Sequence, residues 1–266
     1  SIKRISLDLI MNRKERRKEE RQSKKVVEEK PETFQMSYHL HRPWANILFE
    51  TKLPPMILEK MIELSDKVLA DSKRINWGNN LAGQIKEEPL ITPELLEKDN
   101  LIAFFGNMVQ EYVHQCILQM APPDQSSYLE SIKKDIAIDL NSMWIIEQQS
   151  GEYNPIHTHT NCDISSVMYL KVPTFLDSEK PDRDDDGTIY FIGGAGEHSK
   201  LKTNSLKVKP TPGAFFMFPS HLMHTVYPYK TNDNFARRSV SFNASFEYKS
   251  SSYQQIPSYS FKVELP

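Results

Sequence analysis

Beyond residue 135 the sequence abandons helical spacing for six short β-rich runs, at 136–149, 165–172, 188–192, 205–208, 214–218 and 239–248. Each is bounded by Gly, Pro, Asn or Asp, and six of the nine glycines fall between residues 151 and 213. Short strands punctuated in this way predict an antiparallel sandwich or barrel. The first half reads differently. Ile57, Leu58, Met61, Ile62, Leu64, Val68 and Leu69 recur at helical spacing and predict an amphipathic helix ending near Ser72. Thr92-Pro93-Glu94 supplies a cap, a first-turn proline and an early acid for a second helix, whose stripe runs through Phe105, Met108, Val109, Tyr112, Val113, Cys116, Ile117 and Met120. An extended piece is expected around 44–51. A loop is expected over 75–91, where Gly78, Asn79, Asn80, Gly83 and Pro89 gather. Two helices with one apolar face each require a surface to lie on, so the fold class is mainly β with flanking helices (α+β), the helices packed on one sheet.

Charge divides the chain more sharply than its net value of -2 suggests. Residues 1–30 carry 11 Lys/Arg and 6 Asp/Glu, net +5, which leaves 22 against 29, net -7, for the remainder. The expected organisation is a charged N-terminal arm (1–35), a helical support region (36–135), a β core (136–249) and a C-terminal tail (250–266). With only Val26 and Val27 to bury between Asn12 and Glu32, the arm is expected to be an exposed helix or disordered. A partner-binding arm is the alternative; no aromatic interleaves its basic residues, which argues against nucleic acid. No run approaches 18 apolar residues, excluding a membrane-spanning helix. Cys116 and Cys162 show no CxxC spacing and read as reduced thiols, and with no cleavable leader in the N-terminal sequence the expected compartment is the cytoplasm, or the host cytoplasm for a viral chain.

Five of the eight histidines lie between residues 157 and 224. In a strand, residues i and i+2 share a face, so His157 and His159 can offer two imidazoles to one point. Downstream, the Pro212-Gly213 turn opens an apolar strand that ends in a His-bearing turn at His221 to His224. Further on, Arg237 and Ser239 share one face of a strand while Arg238 takes the other. A planar guanidinium with a hydroxyl two residues away suits a carboxylate. The RDDDG run at 183–187 lacks the EF-hand ligand pattern and reads as a solvated turn.

In order, Gly151-x-Tyr153-x-Pro155-x-His157-x-His159, Ser165-x-x-x-Tyr169-Leu170, Asp186-Gly187-Thr188-x-x-Phe191, Pro212-Gly213, His224 and Arg237-x-Ser239 resemble the Fe(II)/2-oxoglutarate-dependent oxygenases. The nearest likeness is the prolyl-4-hydroxylase-like branch and its uncharacterised bacterial and phage members, over about residues 140–248. The resemblance implies a double-stranded β-helix, a jelly-roll and cupin relative. It implies a dioxygenase taking Fe(II), 2-oxoglutarate and O2, with ascorbate as an accessory reductant, and releasing succinate and CO2 as it hydroxylates a peptidyl or small-molecule substrate. His157 and His224 would be metal ligands, and Tyr169 and Arg237, with Ser239, would receive the distal carboxylate of 2-oxoglutarate. His159 stands where most of the family has a carboxylate; Asp163 is the alternative ligand if the chain bulges there. Two other readings stay open: a non-catalytic β-helix binding or structural module with a degenerate metal site, and a cupin-like three-histidine metalloenzyme without 2-oxoglutarate. The prime substrate is left open among a peptidyl side chain, a free amino acid and a nucleobase, and a homo-oligomer is compatible with each.

Overall fold

The computed structural model describes residues 37–41, 46–120, 132–177, 184–193, 205–232 and 235–249. The expectations for the arm and the tail lie outside these residues. Among the described residues, eleven strands and three α-helices follow in the order β1 (Tyr38–His41), β2 (Leu48–Lys52), α1 (Pro55–Ala70), β3 (Leu90–Ile91), α2 (Pro93–Glu97), α3 (Leu101–Met120), β4 (Ile136–Gln148), β5 (Asn154–His157), β6 (Ile164–Lys171), β7 (Ile189–Ile192), β8 (Ser205–Val208), β9 (Ala214–Pro219), β10 (Met223–Val226) and β11 (Arg237–Tyr248). They form a seven-stranded sheet, β1-β2-β9-β6-β11-β4-β3, and a four-stranded sheet, β5-β10-β7-β8. Every strand pairing is antiparallel. From β4 onward the chain crosses repeatedly between the sheets, large to small and back, which is the winding of a double-stranded β-helix.

Alternation along the central strands sorts side chains into two layers. On β9, Phe215 and Met217 join a core with the helices, while Phe216 and Phe218 join a second core between the sheets. On β11, Val240, Phe242 and Ala244 pack on the helix side, and Arg237, Ser239, Ser241 and Asn243 line a cavity on the opposite face. Phe105 of α3 is fully buried at the centre of the first layer, with ring centroids 6.1 Å from Phe215 and 5.6 Å from Phe242. Phe105→Ala should therefore lower the unfolding free energy by about 3–5 kcal/mol, measured by urea denaturation.

Three expectations need correction. The 36–135 region is not only helical, because β2 pairs with β9 and β3 with β4, so the large sheet crosses the boundary expected at 136. The second predicted helix is two helices, interrupted where Asn100 adopts a left-handed conformation (φ 57°), which an α-helix cannot continue through. The turn expected at His224 is a strand, β10, held between β5 and β7.

Candidate active site

His157 closes β5 and pairs in register with His224 of β10. His159 is not on that strand: the chain leaves β5 after His157, and the His159 N–H donates to Ser220 O (2.9 Å), so the turn before β10 pulls this residue inward. A shared strand face is thus not what unites the pair. The three imidazoles converge nonetheless. Ring centroids lie 4.2 Å apart for His157–His224 and 5.2 Å for both pairs involving His159. The Nε2 atoms of His159 and His224 are 3.3 Å apart, and one ring nitrogen from each of the three lies within 4.8 Å of the others.

Two of the rings are oriented by backbone. Nδ1 of His157 donates to Pro155 O and Nδ1 of His224 to Leu222 O, each at 2.8 Å, which leaves Nε2 of both as a lone-pair donor toward the cluster. Burial lowers the pKa of all three: His157 below its ordinary value, His159 to about 4, helped by the neighbouring His157, and His224 well below its ordinary value. At neutral pH the rings are uncharged, the state in which imidazole ligates a metal. Trp144, Phe191 and Phe218 surround the rings. This donor set fits a divalent first-row transition ion and not calcium.

Asp163 is not brought to the cluster. It is exposed, its carboxylate accepts the Phe246 N–H (3.1 Å), and its backbone pairs with Ala244 and Ser220. His221 meets Asn46 on the surface, and Cys162 also stays outside the cluster.

Arg237, Ser239 and Tyr169 do line the same cavity, whose volume is about 530 Å³. Arg237 is 1% exposed, yet among the described residues it forms no ion pair. Its Nη1 donates to Gly187 O (2.6 Å) and its Nη2 to Gln148 Oε1, while Nε has no partner. The guanidinium lies 5.4 Å from the Tyr169 ring, and the fully buried Tyr169 hydroxyl is also without a partner. Burial raises the Tyr169 pKa against the pull of Arg237, so the hydroxyl keeps its proton and can donate. A buried cation without an anion, beside an unpartnered hydroxyl donor, offers the kind of hydrogen-bond donors that a carboxylate accepts. Arg238 behaves oppositely: on the helix side it pairs with both carboxylate oxygens of Glu147 and with Asp66, and donates to Ser65 Oγ, which makes it a buried structural cation and not a surface one.

Sequence reasoning gave no role at the site to the residues that hold Arg237. Gln148 is 89 positions away and Gly187 fifty, and the Tyr229 hydroxyl accepts the Arg237 N–H (2.8 Å) while donating to Gln148 O (2.6 Å). Gly187, at φ 65°, belongs to the RDDDG turn, which therefore contributes a carbonyl to the site and is more than solvated surface.

Residues 142–243, the stretch containing His157, His159, Tyr169, His224, Arg237 and Ser239, match the sequence profile of a 2OG-Fe(II) oxygenase family. The match spans less than half of the chain and falls on its β core, which is thus similar to the 2OG-Fe(II) oxygenases. Among solved structures, a Pseudomonas putida prolyl-4-hydroxylase is similar at 13% identity, covering 76% of this chain and 93% of that one, with a TM-score of 0.40. A Trichoplax adhaerens prolyl hydroxylase, solved with a hypoxia inducible factor peptide fragment, is 12% identical over 88% and 94% of the two chains, with a TM-score of 0.41. The α-ketoglutarate dependent epimerase SnoN from nogalamycin biosynthesis is 11% identical over 76% and 81%, with a TM-score of 0.45. No curated protein matches the chain. The likeness to these oxygenases rests on the profile match. The superfamily implies iron and 2-oxoglutarate, and both fit: the imidazole cluster offers neutral nitrogens to the metal, and Arg237 with Tyr169 offers unpaired donors to a carboxylate. Among the described residues no helix is long and apolar enough to cross a membrane.

Proposed function

We propose that this protein is a non-haem Fe(II)- and 2-oxoglutarate-dependent dioxygenase that hydroxylates a peptidyl or small-molecule substrate, with succinate and CO2 as co-products. The observation that carries the reading is the presence in one cavity of a three-imidazole cluster and a buried, unpaired guanidinium. His157, His159 and His224 would hold the iron, which supplies O2 activation when bound with 2-oxoglutarate. Arg237, Tyr169 and Ser239 would anchor the distal carboxylate of 2-oxoglutarate and so orient its keto-acid end toward the histidines. Trp144, Phe191 and Phe218 exclude water around the imidazoles. None of these residues needs to act as a general base. On cysteine usage we place the protein in the cytoplasm.

The test is succinate formation from 2-oxoglutarate on adding Fe(II), ascorbate and O2 without prime substrate, with metal content and 2-oxoglutarate binding measured on the same sample. Succinate above the Arg237→Leu background supports the enzyme. His159 in place of an anionic ligand favours a second reading, a metal-binding β-helix without turnover, which would bind iron yet release no succinate at any prime-substrate supply.

A further inference from the structure

Glu88 is a carboxyl group the proposed reaction does not use. It belongs to the stretch expected to be a loop, yet Ile145 N–H donates to Pro89 O and Glu147 N–H to Glu87 O, both at 2.9 Å. These bonds carry the β3–β4 pairing back past Pro89 and set Glu88 opposite Ile146. Ile146 pairs with Ser239, and Ser239 with Tyr169. Glu88, Ile146, Ser239 and Tyr169 therefore form one row across the cavity face of the large sheet, with Glu88 two strand spacings, roughly 10 Å, from Ser239.

Glu88 is 1% exposed and lines the same cavity as Arg237 and the histidines. Its Oε2 is buried without a hydrogen-bond partner among the described residues. The segment over it is built for close approach: a methyl group on Gly78 would come within 3.2 Å of Glu88 Oε2, and one on Gly83 within 3.1 Å of Oε1 and 2.5 Å of Asn154 Oδ1. Arg74 pairs with the neighbouring Glu87. The acid acting on Glu88 is Glu152, whose oxygens accept from the backbone N–H groups of Lys86 and Gln149. Burial first, and Glu152 second, raise Glu88 to about 7. Leaving a buried carboxyl unpaired costs free energy unless a ligand supplies the partner. Trp77 and Trp144 line the same cavity, and indole faces attract cations.

We propose that Glu88 is the specificity residue for the prime substrate and receives a cationic nitrogen, an alkylammonium or guanidinium of the kind carried by basic amino-acid side chains. The inference rests on the oxygenase reading for its place in catalysis, but the binding itself does not. With Arg237, two residues along β11 from Ser239, taking the cosubstrate carboxylate, the cavity has one receptor for an anion and one for a cation, so the two molecules are sorted by charge.

The test uses the full chain loaded with Zn(II), a diamagnetic stand-in for iron, with and without 2-oxoglutarate. Binding of n-butylguanidinium and pentylammonium is followed by ligand-observed NMR against their uncharged counterparts, n-butylurea and pentanol. The expected result is that at least one cation binds ten times or more tighter than its neutral counterpart, and that Glu88→Gln, which keeps the shape, abolishes the preference. Wild-type protein that does not prefer either cation overturns the proposal without reference to any variant, as does an unchanged preference in folded Glu88→Gln. Which cation binds tighter selects between ammonium and guanidinium substrates. Failure of 2-oxoglutarate to bind while the cation preference persists would count against the oxygenase reading and leave the Glu88 site standing.

Discussion

Replacing His224 with alanine is expected to abolish stoichiometric iron binding. His224 is the most deeply buried of the three imidazoles, at 3% exposure, and it stands between His157, its register partner on β5, and His159, whose Nε2 it approaches at 3.3 Å. Its removal leaves two nitrogens with nothing to close the face. Loss of an outer-shell partner alone costs about 10–100-fold in metal affinity, and loss of a ligand should exceed about 100-fold. The readout is metal content after dialysis against a weak chelator, with the unfolding midpoint as a control for folding. Retained full stoichiometry and affinity would show that the cluster is not the metal centre. His159→Asp carries the complementary expectation: it adds an anionic ligand to the proposed three-imidazole set, and should hold Fe(II) at least as tightly as the parent. Asp163→Ala should leave metal content unchanged, since that carboxylate caps the Phe246 N–H outside the cluster.

Arg237→Leu is expected to raise the apparent KM for 2-oxoglutarate by about 10- to 150-fold, corresponding to about 1.5–3 kcal/mol for a charge-assisted hydrogen bond, while metal content changes little. The reason is the absence of any anion beside this buried guanidinium among the described residues. Arg238→Leu provides the contrast. It breaks the pairing with Glu147 and Asp66 between β11, β4 and α1, so it should lower the unfolding midpoint and leave the KM for 2-oxoglutarate near the parent value. The reverse pattern, a KM effect from Arg238 and none from Arg237, would require a one-residue shift in the register of β11.

Much of this site was legible in one dimension because strands impose a period of two. Arg237 and Ser239 on one face of β11, with Arg238 on the other, follow from that period alone, and the structure has them so. The same period separates Phe215 and Met217 from Phe216 and Phe218 on β9. The superfamily likeness was carried by the order of short motifs, which a linear reading preserves.

What the linear reading could not supply depends on contacts made across the fold. His157 and His159 looked like a strand pair, but the convergence comes from the Ser220 carbonyl drawing the 158–163 loop inward, a hydrogen bond spanning 61 residues. The grip on Arg237 comes from Gln148, Gly187 and Tyr229, none adjacent to it in sequence and none of a type that announces itself. Glu88 lay in a segment whose composition said only loop, and nothing local distinguishes a solvated glutamate from a buried one. Propensity, periodicity and motif order are properties of neighbouring residues, so the chain alone determines which faces are apolar and which residue types are offered. Burial, convergence and the absence of a partner arise only when the two sheets close on each other, because only then is water removed and each polar group left with whatever the opposing strands provide.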